Sequence, residues 1–210
     1  MSSNILNFTK MQVLSLSQIV KLQLLCVALF PMFFNQINRN NDLANIVIFA
    51  VGLLMLSYLL LRNFAFNDAK YKTKLLFSII PVTPSTIIWS RLLIIYLFCL
   101  IATPLLGLFS VITNAIKPEL FAIMQLHILP FGLLLAATFM PIEFLIFYLF
   151  EAQKADIIGA LALFPYMGLI ALLYHYVING SLWIVVLIAA VIVNVLCYRL
   201  SVQLYKNRDL

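Results

Sequence analysis

Long apolar runs separated by short polar segments make up most of this chain of 210 residues. A helix needs about 20 apolar residues to cross the hydrocarbon core of a bilayer, and the nearly charge-free runs supply six helices of about that length. The last apolar run is too long for one crossing and is divided at Asn179-Gly180, a turn signal. The predicted spans are 22–38, 43–61, 92–116, 120–150, 157–177 and 182–198. The pattern therefore predicts one all-α membrane domain over 1–210 with six transmembrane helices.

Two segments outside these spans have helical patterns of their own. Residues 5–20 alternate apolar and polar positions loosely at helical spacing, which is typical of a helix lying at the bilayer surface. Residues 67–86, between the second and third spans, form the most polar stretch between two spans. Asn67 is a good helix N-cap and Asp68 complements the helix dipole. We therefore expect a helix to begin at Asn67 and to end before Pro81.

The composition is that of an integral membrane protein, because 65% of the residues are hydrophobic and 10% are charged, against about 25% charged in soluble domains. The net charge is +6, but the longest basic run is Lys70, Lys72 and Lys74, so nucleic-acid binding is not expected. The 3 cysteines lie in apolar runs and are expected to be packing residues. The sequence indicates no metal site and no catalytic residue, since the two histidines lie in different spans without an acidic cluster.

The distribution of Lys and Arg predicts the orientation, because short cytoplasmic loops carry an excess of both. With the N-terminus inside, 11 of the 13 basic residues face the cytoplasm and only Arg39 and Lys117 face out. The cytoplasmic set is Lys10, Lys21, Arg62, Lys70, Lys72, Lys74, Arg91, Lys154, Arg199, Lys206 and Arg208. Both termini and the segment 67–86 are therefore expected in the cytoplasm.

The segment 67–86 has two faces when it is drawn as a helix. Tyr71, Leu75, Leu76 and Ile79 form an apolar arc that is broken by Lys72, and Lys70, Thr73, Lys74 and Ser78 lie opposite. Phe77 falls among the polar residues, and exposed aromatic side chains are enriched at protein interfaces. Two interpretations remain open: a docking surface for another protein, or a helix that lies at the lipid headgroups with its lysines on anionic lipid.

The order of these residues carries a resemblance. Asn67-Asp68, the alternating lysines, the string Leu75-Leu76-Phe77-Ser78-Ile79-Ile80-Pro81-Val82-Thr83-Pro84 and then Arg91 resemble the cytoplasmic segment after the second span of type-2 ABC exporter permeases. The recognisable sequence covers about 25 residues, whereas the layout of spans is similar over most of the chain. Ser85 and Thr86 stand where that family commonly has a basic residue.

The resemblance implies a partner. Lys70–Ile80 would be the main coupling helix, which docks on an ABC ATPase subunit that binds ATP and Mg²⁺. The residues implied in that contact are Asn67, Asp68, Lys70, Tyr71, Lys72, Lys74, Leu75, Phe77, Ser78 and Pro81. It also implies a second permease subunit, identical or related, and a cytoplasmic membrane that we expect to be bacterial. The chain has no G-x-x-x-x-G-K-[ST] motif, so we expect it to bind no cofactor and not to be an enzyme.

Four residues inside the spans are candidates for a transport pathway: Glu143, Gln125, Thr138 and Asn194. Glu143 is an ionisable residue deep in a span, where a charge costs about 2.5–3.5 kcal/mol at the centre, so it should face other helices or water. A structural carboxyl, protonated or bonded to a Ser, Thr or Tyr, and a role in cargo passage both remain open. Pro141 and Pro130 are expected to make this span the least regular. So few polar residues suit an amphipathic or hydrophobic cargo, and together with the resemblance they imply a peptide, toxin, antimicrobial or lipid.

Other classes of membrane protein were weighed against the permease. The substrate-binding subunit of a vitamin importer has a similar size, but it resembles its relatives in a stripe of small residues on the first span, which Leu22–Phe34 lacks. An intramembrane enzyme would need paired carboxylates or a carboxylate with histidines. An ATPase-independent membrane protein, such as that substrate-binding subunit or a bacteriocin immunity factor, remains the alternative.

Overall fold

The computed structural model of the protein describes residues 42–71, 83–119, 128–150, 152–178 and 183–207. These residues form five α-helices and, within those ranges, no strand. In chain order the helices are α1 (Asp42–Tyr71), α2 (Pro84–Ile116), α3 (Ile128–Leu149), α4 (Ala152–Ile178) and α5 (Trp183–Asn207). The predicted all-α class is confirmed for this part of the chain.

The five helices correspond to the second to sixth predicted spans. Four of them are long and apolar enough to cross a membrane: α1 over Asp42–Ala65, α2 over Pro84–Ile116, α3 over Leu129–Leu149 and α5 over Ile184–Lys206. In α4 the apolar stretch is shorter, Ile157–Leu173. The predicted interfacial helix 5–20 and the first span 22–38 lie outside the described residues, so the count of six spans stays a prediction.

The expected helix start at Asn67 is wrong. The backbone of α1 is helical from Asp42 to Tyr71, and Asn67 and Asp68 lie inside this helix. The physical reason is continuity: no Gly or Pro occurs between Leu61 and Tyr71, and an Asn or Asp in a helix interior costs only about 0.7 kcal/mol. Residues that are suitable caps therefore extend a helix when the residues before them are already helical.

The third span begins earlier than its apolar run. Helix α2 starts at Pro84, after the N-cap Thr83, whose Oγ1 accepts a hydrogen bond from the backbone N–H of Thr86 at 3.3 Å. Proline suits the first helical position because its missing N–H is not needed there. The predicted start at residue 92 excluded Arg91 because of its charge. Arg91 instead lies about two turns inside α2 and is buried, so its assignment to a cytoplasmic loop is corrected.

Helix α3 lies at the centre of the bundle and contacts all four other described helices. Its approach to α1 depends on Gly132, because a Cβ at this position would lie 2.9 Å from Cε1 of the buried Phe49 and closer still to Cδ1. In α4, a Cβ at Gly159 would lie 3.0 Å from Cε2 of Tyr58 on α1. Small residues allow helix backbones to approach closely in membranes.

The outer helices present apolar side chains outwards. Phe164 on α4 is 70% exposed, and large aliphatic side chains of α2 and α5 such as Leu108 and Val191 are exposed as well. In water such a surface would be costly, so it fits lipid or another apolar subunit.

Helices α2, α3 and α4 each continue through an internal proline. An internal proline therefore does not make α3, the fourth predicted span, different from the other two.

Candidate functional site

The residues predicted to bind an ATPase are only partly within the described chain. The backbone positions of Asn67, Asp68, Lys70 and Tyr71 lie in the C-terminal part of α1. Outside the described residues lie Lys72, Lys74, Leu75, Phe77, Ser78 and Pro81, and also the pathway candidate Gln125. The ATPase contact therefore remains a prediction.

Glu143 lies in the middle of the bundle rather than at its surface. Its side chain is 0% exposed, and its Oε2 accepts a hydrogen bond from Ser57 Oγ of α1 at 2.6 Å. Its second oxygen, Oε1, has no hydrogen-bond partner among the described residues. The carboxyl group thus joins α3 to α1 through one oxygen and leaves the other unsatisfied in the described interior.

Ser57 contacts two acceptors. Its Oγ is also 2.7 Å from the backbone carbonyl of Leu54 in the preceding turn. A hydroxyl has one hydrogen, so Ser57 donates to one of these acceptors at a time. If the carboxyl of Glu143 carries a proton, Glu143 donates to Ser57 while Ser57 donates to Leu54, and both contacts are hydrogen bonds.

Two further buried groups lie within electrostatic range of Glu143: the Cys99 thiol of α2 and the Tyr166 hydroxyl of α4. Tyr166 packs on Phe139 with ring centroids 4.8 Å apart, and its OH has no hydrogen-bond partner within the described ranges. Polar groups from three other helices therefore lie near Glu143 of α3. Among the described residues, no group of three or more His, Cys, Asp or Glu could hold a metal ion.

Asn194 of α5 joins three helices. Its Nδ2 donates to the carbonyl of Ala137 in α3 at 3.1 Å and to that of Ala190 at 2.8 Å. Its Oδ1 accepts from the Tyr96 hydroxyl of α2. Ala137 is four residues before Pro141, whose ring nitrogen has no hydrogen to donate to that carbonyl. Asn194 therefore provides the donor that Pro141 lacks.

The pathway candidate Thr138 makes a hydrogen bond within its own helix. Its Oγ1 donates to the carbonyl of Leu134 at 2.9 Å. In α2, Thr103 Oγ1 donates in the same way to the carbonyl of Cys99 at 2.8 Å. Such bonds satisfy a hydroxyl without another helix. A role of Thr138, Asn194 or Glu143 in cargo passage remains a prediction.

Arg91 is buried and contacts aromatic side chains of two other helices. Its guanidinium carbon lies 5.3 Å from the centroid of the Phe64 ring of α1, and Nη1 donates to the Tyr148 hydroxyl of α3 at 2.8 Å. The Tyr148 ring in turn lies 6.0 Å from that of Tyr205 in α5. Arg91, Phe64, Tyr148 and Tyr205 are called the arginine cluster below.

A groove with a cavity volume of about 370 Å³ lies between α2, α3 and α5. Trp89 and Tyr198 lie at one end with their rings 5.8 Å apart, and Tyr198 OH is 2.6 Å from Ser85 Oγ. Asn194 and Tyr96 line another part, and the remaining lining is apolar. Ser85 therefore joins α2 to α5 through Tyr198.

Sequence reasoning missed the arginine cluster, although one signal for it was present. Thr83-Pro84 followed by Thr86 is an N-cap with proline at N1, and a helix starting there places Arg91 inside the bundle. The partners Tyr148 and Tyr205 had no such signal, because nothing local indicates which aromatic side chain a buried arginine meets.

The comparisons with known proteins gave one match. A family model described as ABC-2 family transporter protein matches residues 12–206. No curated protein and no solved structure matched the chain. The family match covers nearly the whole chain, including α1 to α4 and all of α5 except its last residue.

Proposed function

Because this chain belongs to the ABC-2 transporter family, we propose that it is the permease subunit of an ATP-driven exporter. The family match over residues 12–206 is the observation that carries the proposal. In the proposed complex a separate ABC ATPase subunit binds ATP and Mg²⁺ and hydrolyses the nucleotide. The permease converts closure of the ATPases into a change of access across the membrane.

The proposed docking site for the ATPase is the segment 67–86. The segment joins α1 to α2, and both helices are held in the bundle by interhelical contacts. A displacement of the segment would therefore be transmitted directly to α1 and α2. Lys70 and Lys74 supply positive charge, and Phe77 supplies an aromatic anchor of the kind enriched at protein interfaces.

The pathway is proposed to form between this chain and a second permease, identical or related. Two observations support this arrangement. Glu143 and Ser57 are fully buried by packed side chains, so in this conformation they do not face an open channel. The outer faces of α4 and α5 are apolar and exposed, as at Phe164 and Val191, and are suited to contact with lipid or an equally apolar subunit.

The proposed cargo is amphipathic or hydrophobic, such as a peptide, toxin, antimicrobial or lipid. The largely apolar lining of the groove between α2, α3 and α5 is compatible with this class. The proposed location is a bacterial cytoplasmic membrane with both termini in the cytoplasm, which follows from the distribution of Lys and Arg.

The first experiment is purification of the tagged protein from its native membrane in mild detergent, with identification of stoichiometric partners by mass spectrometry. We expect an ABC ATPase subunit to be recovered. An oligomer free of ATPase would contradict the proposal and would favour an ATPase-independent protein such as an immunity factor.

A triple variant tests the docking site. Lys70→Glu and Lys74→Glu combined with Phe77→Ala should abolish recovery of the ATPase while membrane insertion is unchanged, because both charge complementarity and the aromatic anchor are lost. Lys117→Glu, a charge reversal at the opposite end of α2, is the matched control and should leave recovery unchanged. Full recovery of the ATPase with the triple variant would show that the segment is not the docking site.

A further inference from the structure

The arginine cluster brings together one side chain from each of four helices. Arg91 of α2 is 3% exposed, lies over the Phe64 ring of α1 and donates to Tyr148 of α3, which packs against Tyr205 of α5. The same guanidinium group makes both contacts, with its carbon beside the Phe64 ring and Nη1 at the Tyr148 hydroxyl. One side chain therefore fixes the positions of α1 and α3 relative to α2.

The cluster lies at the side of the bundle where residues 72–82 connect α1 to α2. Arg91 is about two turns after the N-cap of α2, and Phe64 is about two turns before the end of α1. Tyr148 is the next-to-last residue of α3, and Tyr205 is in the last turn of α5. A force applied to residues 72–82 would therefore act on the arginine cluster before it acts on the central parts of the helices.

The chemistry of the guanidinium group is suited to holding neighbouring helices in a fixed relative position. Its planar set of donors can hold a fixed angle to the Tyr148 hydroxyl while the same group stays beside the Phe64 ring. An ammonium group is a point charge on a flexible stem and does not fix that angle. In addition, moving a charged group away from its partners inside a membrane protein is costly. The helices are therefore expected to move together and not past one another.

We propose that Arg91 is a positioning residue that makes α1, α2 and α3 move as one body when the segment 67–86 is displaced. This inference rests on the proposed function, because it takes the ATPase as the source of the displacement. Glu143 lies on α3, one and a half turns before Tyr148. Arg91 therefore connects the proposed ATPase contact to the helix that carries the buried carboxyl.

The test measures whether α2 and α3 separate when nucleotide is bound. Spin labels are attached to cysteines at Leu97 on α2 and Leu149 on α3, which are 48% and 52% exposed, after the native cysteines are replaced. Their distance is measured by pulsed electron paramagnetic resonance in the full permease–ATPase complex in lipid vesicles, without nucleotide and with ATP and vanadate. The variants are Arg91→Lys, Arg91→Gln and Tyr148→Phe, and Thr103→Ala is the control in the same helix.

In the original background and in Thr103→Ala, we expect the distance to be the same in both nucleotide states. In Arg91→Gln and Arg91→Lys it should shift by about 2 Å or more with nucleotide, the size of helix shifts in switching transitions. Tyr148→Phe removes only the hydroxyl and should give a smaller shift in the same direction. ATPase recovery with all four variants should equal that of the original protein.

Three results would overturn the inference. They are a nucleotide-dependent distance in the original background, an unchanged distance in both Arg91 variants, or Arg91→Lys behaving like the original protein, since lysine keeps the charge but not the planar contact. Loss of the ATPase from Tyr148→Phe would also overturn it. If no ATPase is recovered with the original protein, the proposed function fails instead, so the two failures are distinguishable.

Discussion

Ser57→Ala and Glu143→Met are expected to have unequal effects on stability. Ser57→Ala removes the one hydrogen bond that the described residues make to Glu143 and leaves both of its buried oxygens unsatisfied there. Glu143→Met leaves Ser57 with the Leu54 carbonyl as its acceptor at 2.7 Å. The asymmetry arises because Ser57 has a second acceptor and the described part of the bundle offers Glu143 no second partner.

The magnitudes follow from the same contacts. A buried group left without its hydrogen bond costs about 1–3 kcal/mol, so Ser57→Ala should lower the free energy of unfolding by that amount. Glu143→Met removes a buried carboxyl, whose burial is costly, and leaves Ser57 bonded to the Leu54 carbonyl, so it should leave stability unchanged or raise it. The coupling energy between the two sites should be about 0.6 kcal/mol and at most about 1.7 kcal/mol, the mean and the maximum for interhelical hydrogen bonds in a membrane protein.

The assay is thermal unfolding of the purified protein in one detergent, for the two single variants and the double variant. At about 2–4 °C per kcal/mol for a chain of this size, Ser57→Ala should lower the Tm by several degrees, and the same substitution should cost less in the Glu143→Met background. Thr138→Val is the matched control, because Thr138 bonds only to its own helix among the contacts described. Equal loss from both single variants, or no coupling between them, would refute the reasoning.

Further variants test the close contact at Gly132, the compensation of Pro141 by Asn194 and the role of the Glu143 carboxyl. Gly132→Ala should lower stability by about 1–3 kcal/mol through overpacking against Phe49, whereas Gly168→Ala, with no atom within 4 Å of the new Cβ, should not lower it; equal Tm values would contradict the close approach of α1 and α3. Asn194→Leu should lower the Tm of the original protein more than it lowers the Tm of the Pro141→Ala variant. In that variant the N–H of the new alanine can donate to the Ala137 carbonyl in place of Asn194. Equal losses would show that the Asn194 bond does not compensate for Pro141. Glu143→Gln should alter ATP hydrolysis by the reconstituted complex if the carboxyl serves passage, while unchanged hydrolysis with a lower Tm would favour the structural interpretation.

The positions of the helices were largely predictable from the sequence, but several of their ends were not. A span is recognised because the free energy of transfer into lipid adds up residue by residue along the chain. The start of α2 was misplaced because Arg91 was counted as a loop residue, although the local cap at Thr83 was readable. The end of α1 was misplaced because a residue type that suits a cap does not terminate a helix by itself.

Side-chain partners in the interior were much less predictable. Glu143 was recognised as a residue that must face other helices, because a charge inside a membrane is costly, and a nearby Ser, Thr or Tyr was an expected partner. Its actual partner, Ser57, lies 86 residues away. Pro141 has no N–H for the carbonyl four residues earlier, which is readable from the sequence, whereas the donor that reaches this carbonyl, Asn194, belongs to another helix.

The sequence by itself determined that this is an all-α membrane protein, where most of its apolar helices lie, and which family segment it resembles. Those properties depend on hydrophobicity and motif order, which are local along the chain. Only the tertiary structure decided that Arg91 contacts Phe64 and Tyr148, that Tyr148 packs against Tyr205, and that Phe49 packs closely against Gly132. Such contacts depend on which faces of the helices meet, and that choice is set by the packing of all the helices together.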